Sequence, residues 1–281
     1  VVDNNCTDDT REVVQSFKAL EAFPCLRLLH EGRQGVGHAR RTGLRAARGR
    51  LIGFVDDDCL VDSHWIAAAL EFADSHCQAG AFGGRNELIW QAPPPDFALA
   101  YGESLARQDW GAIEFQLSSA GRRVPCGAGL VLRRTALDAG GWLDVGCLRG
   151  RDPDFLGAGE DAEIALRIRN AGWQIWYAPQ LRLTHLIPPQ RMTLSYVRRL
   201  HGGFGRAEVF LRHLAQRRND SWAARLRGLV WSLTELLAVV RRFWLGYIWY
   251  SAERPSWLIR LSYATGCLEG GVRFLLTGKA Q

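Results

Sequence analysis

Over the first two thirds of the chain, short apolar runs alternate with stretches of helical spacing. Val1–Val2 reads as the end of a buried strand, and Asn4 to Thr10 as a turn. Asp8 or Asp9 can cap a helix that carries Val13, Val14, Phe17 and Leu20 on one face. Leu26 to Leu29 predicts a second strand, Arg33 to Gly37 a glycine-containing loop, and Ala39 to Ala47 a helix closed by Gly49. Leu51 to Val55 is a continuous apolar run of strand length. Ser63 is placed to cap the next helix, which carries Trp65, Ile66, Ala69, Leu70 and Phe72. Ala79 to Gly84 predicts another strand. This alternation predicts an α/β fold with a largely parallel sheet and helices on both faces.

The pattern then loosens. Gln91 to Pro95 is a proline-rich break, and residues 96–123 read as mixed loop and helix. Pro125 to Arg134 is glycine-rich and then apolar. Asp161 to Ala171 predicts a helix stopped at Gly172, followed by strands at Trp173–Ala178 and Leu181–His185. Pro188-Pro189 closes this part, and everything from Thr193 onward is helical in pattern. The expected division is a body over residues 1–190 and a helical region over 191–281, with no internal repeat.

Composition changes the picture in one respect. Hydrophobic residues at 47% and charged residues at 23% fit a packed globular chain and argue against disorder. The charge, however, is unevenly spread. Residues 191–281 hold 15 basic and 5 acidic side chains, a net +10, whereas the body has a net −4. A basic tail rich in Trp and Leu predicts an anionic partner such as a membrane surface. The seven Cys show no CxxC pair and no cluster with His, which places the chain in a reducing compartment, the cytoplasm. No signal peptide is read at the start, and Met192 is the only methionine. The opening strand end therefore predicts that the natural N-terminus lies further upstream.

Candidate chemistry begins at Asp56, Asp57 and Asp58, which come directly after an apolar strand. Adjacent carboxylates repel, and a divalent cation removes that cost. In an extended chain Asp56 and Asp58 point to one side and can share a cation that also holds a diphosphate. A solvated turn is the alternative. Strand ends of open α/β sheets are where ligands bind. Asp3, also at a strand end, can accept a hydrogen bond from a nucleotide base or form an Asx turn. Asp161 opens a helix, where free N–H groups favour its charged form, and Glu160 and Glu163 share a face beside it.

Taken in order, Val1 to Asp8, Gly35 to Gly43, Asp56-Asp57-Asp58, Gly141 to Asp144 and Gly159 to Glu163 resemble the family 2 glycosyltransferases of the GT-A type. The resemblance covers about residues 1–190. It implies an inverting transfer from a nucleoside-diphosphate sugar, UDP-linked by preference, with Mg²⁺ or Mn²⁺ as cofactor. It implies that Asp3 contacts the base, that Asp56 and Asp57 lie near the nucleotide sugar, and that Asp58 binds the metal; His185 is either a further ligand or a satisfied structural histidine. Asp161 would be the general base. Glu160 and Glu163 can orient that base or bind acceptor hydroxyls. Apart from the resemblance, Gly127 and Gly129 in the Cys126 to Gly129 segment can border an acceptor or sugar pocket, since glycines let the backbone approach a ligand, or form a tight strand entry. Arg40 or Arg41 can reach the diphosphate. Of these two arginines, Arg41 stands where family members often carry Asn; an exposed basic helix face is the other reading of this pair. The family's first strand and helix are expected before Val1. The Gln-x-x-Arg-Trp motif of processive members is absent, which favours addition of single sugars.

In the tail, Leu229 to Tyr250 is the most apolar piece, and Glu235, Arg241 and Arg242 interrupt it. A membrane span needs about 20 mainly apolar residues, so a surface-lying helix fits better. Arg198, Arg199, Arg206, Arg212, Arg217 and Arg218 can attract a lipid diphosphate. The expected partners are a nucleotide-sugar donor, a glycan or lipid-linked acceptor and the cytoplasmic face of the cell membrane, where the protein would be peripheral. Nucleic acid is not expected, since no recognition motif is present. The competing function is a catalytically silent, membrane-associated module of the same fold.

Overall fold

The computed structural model describes residues 1–281 apart from 21, 120, 147, 149, 151–155, 217–219, 250–253 and 279–281, and for 244–249 it describes the backbone alone. In chain order the body runs β1 (Val2–Asp3), α1 (Thr10–Lys18), β2 (Leu29–His30), α2 (Val36–Ala46), β3 (Leu51–Gly53), β4 (Cys59–Val61), α3 (Trp65–Ser75) and β5 (Ala79–Trp90). It continues with α4 (Asp96–Ala100), a 3₁₀ turn (Gly102–Leu105), β6 (Phe115–Gln116), β7 (Val131–Arg133), α5 (Arg134–Gly140), α6 (Trp142–Val145), α7 (Glu160–Asn170) and β8 (Gln174–Ile187).

The central sheet has the order β3-β7-β5-β8-β4, with β6 also paired to β8, while β1 and β2 form a separate parallel pair. The expectation of a largely parallel sheet is corrected. Only β5–β8 is parallel in the central sheet, and β3–β7, β5–β7, β4–β8 and β6–β8 are antiparallel. The chain reverses between β3 and β4, which lays β4 antiparallel to β8 at one edge, while β7 runs antiparallel between β3 and β5.

The two strands expected over 173–185 are one strand of 14 residues. Pro179 does not end it, because a register shift between Gly83 and Arg85 of β5 absorbs the irregularity. Likewise β5 runs on past Gly84 to Trp90. The second strand is confined to Leu29–His30, and α2 starts at Val36 rather than Ala39. Ser63 does not cap α3; the Asp62 carboxylate accepts from the His64 N–H at 2.8 Å instead.

Helices cover both faces, as expected. Leu132 and Ile175 pack with Leu137, Trp142, Ile164 and Ile168 of α5, α6 and α7. On the other face Phe82, Val131 and Leu181 pack against Trp65, Ala69 and Phe72 of α3. Each such fully buried large side chain contributes about 1.5–3 kcal/mol.

A 3₁₀ turn (Pro189–Met192) leads into α8 (Leu194–Ala215), α9 (Trp222–Trp249) and α10 (Arg254–Thr277). Thr193 caps α8 by accepting from the Tyr196 N–H at 3.2 Å. Helices α8 and α10 touch backbone to backbone. A Cβ on Gly205 would lie 2.1 Å from the Tyr263 oxygen, and one on Gly266 would lie 2.2 Å from the Gly202 oxygen. Glycine alone permits that approach. The end of α8 is tied to the body, since Arg169 and Asn170 donate to the carbonyls of Ala215 and Leu214 at 3.0 and 2.9 Å. Among the described residues no helix is long and apolar enough to cross a membrane.

Candidate active site

The triple-aspartate segment is a turn. The Cys59 N–H donates to the Asp56 carbonyl at 3.0 Å, which reverses the chain between β3 and β4. Asp56 and Asp58 therefore diverge, and the expectation that they share one cation from an extended chain is corrected. Asp56 faces Arg40, 3.5 Å away, and Asp57 is exposed. Asp58 faces His185 and Arg191, with Oδ1 3.1 Å from His185 Nε2 and Oδ2 2.6 Å from Arg191 Nη1.

Strand pairing makes this meeting. Cys59 of β4 sits opposite His185 of β8, and the Leu186 N–H donates to the Asp58 carbonyl at 2.8 Å. Burial pushes the Asp58 carboxyl up, but His185 and Arg191 outweigh it and hold the group down at about 2. His185 Nδ1 lies 2.9 Å from the Leu105 carbonyl, an acceptor, so that nitrogen carries a proton. The other ring nitrogen, Nε2, faces Asp58 Oδ1 and lies 3.3 Å from Arg191 Nη1; metal-binding histidines likewise fix one ring nitrogen on an acceptor and present the other to the ion.

Asp58, Cys59 and His185 bring one donor atom each within 4.8 Å of one another, so the expectation of no cysteine–histidine grouping is also corrected. Burial, together with Asp58 and Asp56, pushes the Cys59 thiol up to about 12. It remains a protonated neighbour. Asp58 and His185 fit a divalent cation that accepts oxygen and nitrogen together. Mn²⁺ suits that pair better than Mg²⁺, which holds to oxygen.

The second half of the site is the start of α7. Asp161 Oδ2 accepts from the Gly127 N–H at 2.7 Å. A Cβ on Gly127 would lie 2.5 Å from Arg40 Nη2 and 2.9 Å from Asp161 Oδ2, so this expected site glycine does border the aspartate. The loop carrying it is held from behind. Asn86 Nδ2 donates to the Ala128 carbonyl at 3.0 Å, and the Cys126 N–H donates to Gln108 Oε1 at 3.0 Å. Burial, with Asp161 and Asp56 nearby, pushes the Cys126 thiol up to about 12.

Arg40 joins the halves. It is 9% exposed, its Nη1 lies 2.8 Å from Glu160 Oε1, and its Nη2 faces Asp56. Its guanidinium lies over the Phe54 ring, 5.0 Å from the centroid. Burial alone would lower its pKa, yet Glu160, Asp56 and Asp161 raise it. The exposed-face reading is thus wrong for Arg40. Arg41, expected at the diphosphate, is turned away. It donates to the Gly146 carbonyl at 3.1 Å and stacks on Trp142.

Four further expectations are corrected. Glu163 is fully buried and accepts from Trp142, the Leu148 N–H and Arg167, so none of its carboxylate is left for an acceptor. Glu160 is the counter-ion of Arg40 rather than a group open to an acceptor. Gly129 is a strand entry: it has φ +77°, pairs with the Phe54 carbonyl, and a Cβ there would meet Leu183 at 2.4 Å. Asp3 is 1% exposed and closes a local turn, accepting from the N–H of Cys6, three residues on, at 2.8 Å, with Arg11 and His30 on its other oxygen. The Cys6 N–H, ahead of Arg11 and His30, holds its carboxyl well below the usual range, and no open oxygen faces a base.

Sequence reasoning missed Arg191, Asn86 and Gln108. Arg40 carried a usable signal, because it lies four residues from both Val36 and Leu44 and so falls on the buried stripe of α2. In the tail, Arg198, Arg199 and Arg206 line one groove, Arg212 stacks on Trp231, and Arg217 and Arg218 lie outside the described residues.

Residues 1–205 match the family described as Glycosyltransferase like family 2, and the chain belongs to that family. It is 26% identical over 179 residues to glycosyltransferase AglE of Haloferax volcanii, covering 63% of this chain and 53% of that protein. It is 28% identical over 109 residues to the putative teichuronic acid biosynthesis glycosyltransferase TuaG of Bacillus subtilis, covering 39% of this chain and 43% of that protein. The chain thus spans about half the length, or less, of these curated relatives. Among solved structures, it resembles the mannosyltransferase PcManGT of Pyrobaculum calidifontis, solved with GDP-Man and Mn²⁺. That likeness has a TM-score of 0.55 at 18% identity and covers 99% of this chain and 77% of the other. It establishes the GT-A fold.

Proposed function

We propose that this chain is the catalytic domain of an inverting, metal-dependent glycosyltransferase that moves a sugar from a nucleoside-diphosphate donor to a glycan or lipid-linked acceptor. The observation that carries this reading is the convergence of Asp58 with His185 on one side of Arg40 and of Asp161 with Gly127 on the other. Inversion needs one base opposite the leaving group. Asp161 takes that part: its carboxylate is oriented by the Gly127 N–H and receives the proton of the acceptor hydroxyl. Asp58 and His185 would hold the divalent ion, which would supply charge neutralisation for the departing diphosphate. Arg191 adds a second positive group beside Asp58, and Arg40 holds Asp56 and Glu160 in place without contacting substrate. UDP-sugars are the leading donors. A GDP-sugar is the second choice, because the solved mannosyltransferase carries GDP-Man.

We place the protein at the cytoplasmic face of the membrane, bound through its C-terminal helices. Support comes from α9, which exposes Val230, Leu233 and Leu237 along one face with Arg227 and Arg241 exposed on the same side.

The test is a panel of nucleotide sugars offered to the full-length protein with Mn²⁺, reading sugar transfer and thermal stabilisation. The expected result is turnover that chelator removes and that Asp58→Asn and Asp161→Asn abolish. Donor binding must survive in Asp161→Asn and weaken in Asp58→Asn. Binding without turnover in the wild type would point to the silent module. Flotation with anionic vesicles tests the membrane placement, and a protein that stays unbound at low salt refutes it.

A further inference from the structure

Three arginines of α8 do not belong to the site above. Arg198, Arg199 and Arg206 line a groove of about 340 Å³ between α8 and α10, with Ser262 and Thr265 across from them and Leu156 at one wall. The three guanidinium groups make the groove positive. Glu269 offsets part of that charge, with Oε2 3.0 Å from Arg206 Nη1. Arg198 is steered by a hydroxyl, donating from Nε to Ser262 Oγ at 3.3 Å. Guanidinium forks beside hydroxyls are the groups that recognise phosphate oxygens.

Position gives the groove its meaning. Leu156 lies four residues before Glu160, so the wall of the groove continues directly into the helix start that carries Asp161. Gly203 of α8 is packed onto that wall, since a Cβ there would lie 1.7 Å from the Leu156 oxygen. The close glycine contact of α8 with α10 fixes the two sides of the groove relative to each other. The volume suits a phosphate or diphosphate group.

We infer that this groove binds a phosphate group carried by the acceptor and so aims the acceptor hydroxyl at Asp161. The aiming rests on the glycosyltransferase reading, and the binding of phosphate does not. Inorganic pyrophosphate is the probe, titrated calorimetrically into the full chain with chelator present, so that no divalent ion bridges it to Asp58. The expected result is binding that falls about tenfold or more in an Arg198→Gln, Arg199→Gln double variant, the loss of charge-assisted contacts. Both positions are exposed, and an unchanged melting temperature will confirm that the variant folds. Asp58→Asn must leave pyrophosphate affinity unchanged. Equal affinity in wild type and double variant overturns the inference, as does the absence of binding in the wild type. If no nucleotide sugar binds while pyrophosphate binding depends on the arginines, the donor reading fails and the groove stands. Phosphatidylcholine vesicles with polyprenyl phosphate separate the sources. A lipid-borne phosphate predicts vesicle binding that the double variant loses, and a soluble one predicts vesicle binding equal in both proteins.

Discussion

Arg40 and Glu160, 120 positions apart in the chain, form an ion pair of 2.8 Å at the centre of the body. Both side chains are buried, and the pair joins the helix after the second strand to the helix that carries Asp161. Buried pairs are poor sources of net stability, but breaking one is costly because the remaining charge keeps its desolvation. Arg40→Met is therefore expected to lower unfolding stability by about 3 kcal/mol. The double variant Arg40→Met, Glu160→Leu should recover much of that loss in a denaturant titration. Its catalytic turnover should stay low, because Asp56 and the start of α7 lose their common tether. A double variant as unstable as the single one would show that the pair is not the link.

Gly127 and Gly129 sit two residues apart and predict different failures. At Gly127 an added methyl meets Arg40 and Asp161, so Gly127→Ala should displace the base. A misplacement of about 1 Å costs on the order of 100-fold in turnover, so the loss of turnover per folded molecule should far exceed any loss of stability from pressure on the Arg40–Glu160 pair. At Gly129 the backbone has φ +77° and the methyl meets Leu183 of β8. Gly129→Ala should therefore lower stability by about 1–3 kcal/mol while leaving the surviving folded fraction active. Measuring kcat per folded molecule beside thermal melting separates the two. Equal effects on both measures would mean that Gly127 has no special relation to Asp161.

The same residues show what sequence can and cannot reveal. Strand β3 and the helix at Trp65 were legible because their apolar spacing is local. The aspartates after β3 were legible as a cluster, but not their divergence, which comes from the turn bond between Asp56 and Cys59. Antiparallel β4 was hidden for the same reason. Pro179 read as a strand end because the bulge that accommodates it depends on β5. Glu163 looked like a site acid because its partners, the Leu148 N–H and Trp142, come from another segment. Arg191 had no local signal at all; its meeting with Asp58 is set by where β8 ends.

The junction of α8 with the body carries a pH dependence that can be measured without any substrate. His201 Nε2 lies 2.8 Å from the Ser104 hydroxyl, and the ring packs edge-on against Tyr101 and Phe204. Burial lowers its pKa from the ordinary 6.5 to about 4. The folded protein therefore resists a proton that the unfolded chain accepts, and the unfolded state binds more protons between these two values. Stability contributed by the neutral ring is fully present above pH 6.5 and is lost as pH falls toward 4. The loss is on the order of 3 kcal/mol. His201→Gln keeps a group able to bond Ser104 but cannot titrate, so its stability should stay flatter over that window in urea titrations. A variant whose stability declines as steeply as the wild type from pH 6.5 to 4 would assign the effect to other groups.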